Sequence, residues 1–255
     1  MRSQAKLGNV DKRKTMIEFP SIRNAFQARG KDQEVDKYET AYGELLARIE
    51  KICEASPGGD WGDAKRIREY SLVLRQVLLH RAINLFEGAL TAMTLDNVYT
   101  MTLAIRGHFE TTGALGYLHK RLDSLSRGKL DLKVVDQDIC TQLLGRRDRV
   151  TQEIHEAKQV LTLLEHADRT VSKNIMGGTA NQYDILTDCY KYLCEFSHPN
   201  FHSNSIAFDL NKEKRQFVMR HSEPMKDIEF NLAGYLLLSS PIFVSLFDKV
   251  GEILP

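Results

Sequence analysis

The sequence predicts an all-α fold, a multi-helix bundle carrying one small β-hairpin. Three observations lead there. Apolar residues recur at three- and four-residue spacing through most of the chain. Breakers such as Ser56-Pro57-Gly58-Gly59 cut the chain into helix-length pieces. Only one short stretch, around 205–220, alternates with a period of two.

The chain has 255 residues, of which 42% are hydrophobic and 27% charged. That supplies a core and excludes disordered and collagen-like classes. Residues 1–31 hold eight basic side chains (Arg2, Lys6, Lys12, Arg13, Lys14, Arg23, Arg29, Lys31) and two acids, Asp11 and Glu18. They carry +6, against −5 for the remainder. The reading is a basic, flexible arm over 1–31 and a single helical domain over 32–255. Such an arm either rests on the acidic body or contacts nucleic acid, with Lys12, Arg13 and Lys14 as the contacts.

The first helix is expected from Asp32, through Val35, Tyr38, Tyr42, Leu45, Leu46, Ile49, Ile52 and Cys53. Asp63 is placed to cap a long, strongly apolar helix to about residue 90, and Asp96 one to about residue 126. Shorter helices are predicted over about 135–145, 149–170 and 181–197. Pro199 ends the last of these by biasing His198 away from helical geometry. Ile206, Phe208 and Leu210, then Phe217 and Met219, mark the two strands of the hairpin. The chain returns to helix over 225–254, with a break expected at Pro241. Residues 230–247 carry no charge, but Asn231, three serines and Pro241 dilute them, so a buried core helix is expected rather than a membrane anchor.

Motifs exclude several classes. There is no GxxxxGK[ST] and no GxGxxG after a strand. His155-Glu156 opens like a zincin helix, but position 159 is Gln. Cys53, Cys140, Cys189 and Cys194 form no CxxC, which fits reduced thiols in a cytoplasm. Neither metal nor cofactor is implied.

Two segments carry candidate chemistry. In 105–117, Arg106 and Glu110 are four apart on one helical face. They form either a surface ion pair or a partly buried pair serving a polar site. In 190–202, Asp188, Tyr192, Glu195 and His198 make a polar stripe. His198 at a helix end, near carboxylates, suits acid–base work near neutrality or simply bonds the last carbonyls. Glu195-x-x-His198 is half of a di-iron motif with no second half, and Cys194 four residues from His198 reads as a structural thiol. Arg–His spacings occur at Arg75–His80, Arg149–His155 and Arg215–His221.

Arg106-x3-Glu110 in an apolar helix, followed by Tyr192-Leu193 and His198 before a hairpin, resembles a broad group of bacterial helical proteins of unassigned function. These resemble, more distantly, the HEPN superfamily of four- and five-helix bundles. The resemblance covers about residues 65–220. It implies a metal-independent ribonuclease of toxin–antitoxin or phage-defence type, or a non-catalytic binding or regulatory module. In the first case a His would act as base and an Arg would stabilise the phosphorane. Arg106, Glu110, Tyr192 and His198 are then the expected site, with Arg75–His80, which meets the family's spacing, as the second candidate pair. RNA or another protein is the implied partner, and the module reading implies a homo-oligomer. Convergence of the first four residues would mark catalysis. Their separation, together with a large exposed apolar face, would mark the module.

Overall fold

The computed structural model describes residues 17, 19–50, 60–144, 158–174, 184–221 and 223–254. It is the predicted all-α bundle with one two-stranded antiparallel hairpin.

Part of the stretch read as a flexible arm is packed. Helix α1 (Phe19–Gln27) buries Ile22 and Phe26, and Ile17 before it is buried too. Its charges rest on the body: Arg23 bonds Asp36 at 2.8 Å, and Arg29 bonds Asp96 at 2.8 Å. A spacing of four between two large apolar residues is enough to dock one short helix. A 3-10 turn, Asp32–Glu34, leads into α2 (Val35–Leu46), which buries Val35, Tyr38, Tyr42 and Leu45. The helix stops before Ile49, and Ile52 and Cys53 lie outside the described residues.

Helix α3 (Ala64–Thr94) is capped as expected, the Asp63 carboxylate accepting from the Lys65 amide at 3.1 Å. Helix α4 (Val98–Ser126) is capped by Asn97, not by Asp96. Asp96 has φ +54° and ends α3 instead. Its amide bonds the Met93 carbonyl and that of Asn97 bonds Ala92, the paired closure of a left-handed helix stop. The freed carboxylate accepts from the Met225 amide at 2.9 Å, tying the C-terminal segment to this corner.

Helices α5 (Leu132–Leu144) and α6 (Val160–Asn174) flank α4. Asp136 of α5 is fully buried and accepts from Arg66 of α3 and the Gly62 amide. Helix α6 runs parallel to α4 and very close to it: Gly113 faces Leu164 and Gly116 faces Ala167. Asp168 of α6 reaches across to α7 (Ile185–Ser197), accepting from the amides of Leu186 and Thr187 at 2.7 and 3.0 Å. It thereby caps α7 from another helix. Helix α7 runs antiparallel to α4, with Tyr190 beside Arg106 and Ser203 beside Tyr99.

His198 ends α7 in extended geometry, φ −99° and ψ 151°, as Pro199 dictates. A short helix α8 (Phe201–Ser205) follows, which the sequence reading missed. Strands β1 (Phe208–Asn211) and β2 (Gln216–Met219) pair Phe208 with Met219 and Leu210 with Phe217. A four-residue helix α9 (Asp227–Phe230) and a 3-10 turn lead into α10 (Gly234–Glu252). Pro241 does not break α10: it lies on the exposed side, where one lost backbone bond is least costly. Within Asp227–Glu252 an 18-residue window of mean hydropathy 1.6 is long and apolar enough to cross a membrane by composition. Here it packs in the bundle, burying Leu236, Phe243, Leu246 and Phe247.

Candidate functional site

Arg106 and Glu110 stand one turn apart on α4, at 3.3 Å, both about three-quarters buried. The structure adds Tyr190 of α7, which the sequence reading passed over. Its hydroxyl accepts from Arg106 Nε at 3.2 Å and donates to Glu110 Oε1 at 3.2 Å. Burial, and then the Glu110 charge, push the Tyr190 hydroxyl up to about 12. It stays protonated and can serve as that donor. Arg81 of α3 approaches the other Glu110 oxygen at 3.9 Å and bonds Thr111 at 3.0 Å. The residues are thus a satisfied interhelical network joining α3, α4 and α7.

Tyr192 and His198 do not join it. Two residues along a helix is a turn of about 200°, so Tyr192 leaves the face that Tyr190 presents to α4. Its ring packs on Phe196 and Tyr235, at 5.2 and 5.9 Å. His198 is exposed at the α7 terminus, and its imidazole makes no hydrogen bond, ion pair or ring contact among the described residues. The expected four-residue convergence is therefore not formed, because the stripe read along 188–198 turns away from α4.

Arg75 and His80 also part. Arg75 donates to the Phe247 carbonyl at 2.9 Å and stacks on the Phe247 ring at 3.7 Å, where Gly251 leaves room for the guanidinium. It pins the end of α10 to α3. His80 is exposed and, among the described residues, bonds Asn84, four residues on. Five residues is a rotation of about 140° on a helix, which sends the two side chains to different faces. Lys12, Arg13 and Lys14 lie outside the described residues, as does the Arg149–His155 spacing. No group of three or more His, Cys, Asp or Glu is placed to hold a metal among the described residues. Cys140, Cys189 and Cys194 are free thiols, and burial pushes Cys189 up to about 11, away from the reactive thiolate.

What the surface does present is apolar. Phe201, Leu210, Phe217, Met219 and Ile228 are between 52% and 76% exposed. The pairing register puts Phe208, Leu210, Phe217 and Met219 on one face of the hairpin. Beside them a cleft of about 570 Å³ opens between α7, α8 and the hairpin, lined by Tyr192, Phe196, Phe201, Phe217 and Ile228. The hairpin's base is locked by Arg220, which donates to Glu229 at 2.9 Å and to the carbonyls of Ile206 and Pro224. Period-two alternation ordinarily marks a half-buried strand, yet neither strand here shows a buried face.

The fold and its surface define a class: an all-α bundle presenting a rigidly based, apolar β-hairpin. No protein-family model, no curated protein and no solved structure matches the chain.

Proposed function

We propose that this chain is a non-catalytic protein–protein interaction module that docks a second copy of itself through the hairpin face. The observation that carries the reading is the contiguous set of exposed apolar side chains on β1, β2, α8 and α9. Scattered exposed apolar residues need no explanation, but a contiguous patch beside a cleft marks an interaction surface.

Three features favour a second copy as the occupant. The patch holds both a projecting aromatic, Phe201 at 76% exposure, and an aromatic cleft able to receive one. A surface with knob and hole together is self-complementary about a two-fold axis. Among the described residues the outer edges of β1 and β2 are unpaired, and two strands alone make a marginal sheet. Charge is divided along the hairpin as well: Lys212, Lys214 and Arg215 outnumber Glu213 at the tip, while at the base Asp209, Glu223, Asp227 and Glu229 outnumber Arg220 and Lys226. An antiparallel two-fold arrangement sets each basic tip against the other copy's acidic base. Arg106, Glu110 and Tyr190 then serve the scaffold, holding α7, which carries the cleft wall, against α4.

The test is sedimentation of the full chain across a concentration series, beside Phe217→Lys and the exposed control Val77→Lys. The expected result is a dimer whose dissociation constant rises roughly thirtyfold or more in Phe217→Lys and is unchanged in Val77→Lys. A wild-type chain that stays monomeric throughout, or a Phe217→Lys chain that pairs as tightly as wild type, overturns the reading.

A further inference from the structure

At the other end of α4 from the hairpin, the close parallel packing on α6 gathers cations. Gly113 and Gly116 let the two backbones meet, and the turns beyond bring Tyr117, Lys120 and Arg121 of α4 against His166 and Arg169 of α6. Lys120 Nζ donates to His166 Nδ1 at 3.0 Å. The Tyr117 ring lies 5.2 Å from the imidazole. The carboxylate that opposes these cations is Asp138 of α5, and it is already occupied. It accepts from Tyr117 at 3.0 Å and from Arg121 Nε at 2.5 Å, and pairs with Lys158 at 3.2 Å.

Lys120 and Arg169 have no carboxylate partner among the described residues, and neighbouring Glu165 pairs with neither. Among the described residues, then, Asp138 is the one acid that Arg121 and Lys158 pair with here, and Lys120 and Arg169 add two further cations. The neighbouring cations act on the titrating groups. Burial first, then Lys120, Arg169 and Arg121, hold His166 down at about 4, with Asp138 the opposing influence. Burial first, then Arg169 and Arg121, hold Lys120 below its ordinary value. Arg169 is exposed, while Lys120 and His166 are half-buried, and a half-buried cation that donates to a neutral imidazole beside further cations gains from a counter-charge.

We propose that Lys120, His166 and Arg169, flanked by Arg121, form a binding site for a phosphate-bearing anion. A tetrahedral dianion has oxygens enough to accept from an ammonium, a guanidinium and a ring nitrogen together. A halide or a carboxylate has fewer. Binding raises the affinity of His166 for its proton, because the bound charge opposes the three cations that now depress it. The site is separate from the hairpin face: Lys120 stands 21 residues beyond Tyr99 along α4, about 30 Å at the helical rise.

The experiment is NMR of the histidine rings in the full chain, titrated at constant ionic strength with inorganic phosphate, a nucleoside 5′-monophosphate, or sodium chloride. The expected result is a saturable change at His166 with phosphate and a pKa raised by about one unit or more. Lys120→Met and Arg169→Gln weaken binding roughly tenfold or more, while Arg127→Gln, at the exposed cap that follows α4, does not. Tighter binding of the nucleotide than of phosphate assigns the site to a phosphomonoester, and equal binding assigns it to free phosphate. A response that chloride reproduces, or variants at Lys120 and Arg169 that bind as wild type, overturns the proposal.

Discussion

The two halves of α4 use the same residue types to opposite ends. In the N-terminal half the gathered cations, Arg106 of α4 and Arg81 of α3, both find acceptors. Arg106 reaches Tyr190 at 3.2 Å and Glu110 at 3.3 Å, while Arg81 reaches Thr111 at 3.0 Å. In the C-terminal half Lys120 meets only an imidazole, and Arg169 meets no acid among the described residues. The first half is a closed network that fixes helices in place. The second is an open one that keeps charge in reserve. The difference teaches that a polar pair legible from spacing on one helix tends to be the satisfied one. A surplus of charge arises between helices and depends on which neighbour packs there.

The largest expected effect tests the packing that creates the second half. A Cβ at Gly116 would overlap the Ala167 Cβ and lie 2.6 Å from the Ala167 Cα. Backbone cannot step aside as a flexible side chain can, so Gly116→Leu drives α4 and α6 apart. The expected cost is about 3 kcal/mol or more in urea unfolding, together with loss of the His166 response to phosphate. Gly43→Leu is the control, since nothing lies within 4 Å of its added Cβ. If Gly116→Leu unfolds at the wild-type urea midpoint, the close approach does not organise this half.

A second effect belongs to the first half and depends on pH. His108 is fully buried on α4 between Phe86 and Phe243, with Nδ1 2.9 Å from Ser239 Oγ. Burial lowers it from 6.5 to about 4. The folded value lies below the unfolded one, so its contribution is complete above about 6.5 and is lost as pH falls toward 4. The shift corresponds to about 3 kcal/mol across that window. Urea midpoints measured from pH 7 to pH 4 should fall steeply in wild type. In His108→Gln they should fall less, leaving the part that half-buried His166 supplies. Parallel profiles for the two proteins would show that the His108 environment admits the charge.

Most of the fold was legible because helix signals are local. The Asp63 cap, the Pro199 stop and the 205–220 alternation each act within a few residues, and each landed in place. Errors came where a neighbour decided the outcome. Asp96 looked like a cap, yet the left-handed stop of α3 turned it into a tether for Met225. Pro241 looked like a break, yet the burial of α10 on both sides of it carried the helix through. Residues 19–27 counted as part of a basic arm because charge outweighed two apolar positions, Ile22 and Phe26. For the site, spacing found Arg106 and Glu110 but placed Tyr192 and His198 with them. The partner was Tyr190, which shares their face only because α7 runs antiparallel to α4. Nothing within 105–117 or 190–202 alone fixes that direction.

The smallest effect gives the sharpest test of closure. The Tyr190 hydroxyl bridges Arg106 and Glu110, but those two also touch directly at 3.3 Å. Tyr190→Phe removes one donor and one acceptor while leaving the ion pair and the ring stack on Arg106, which stands 5.2 Å from the ring centroid. A network that closes on itself should lose about 1 kcal/mol, the ordinary worth of one such hydroxyl. Glu110→Gln should cost more, since it leaves Arg106 and Arg81 facing each other without a carboxylate. The order of the two unfolding midpoints, Tyr190→Phe above Glu110→Gln, is the check. The reverse order would make the hydroxyl the centre of the network. Its position, rather than the charge pair, would then hold α7 and the cleft wall it carries against α4.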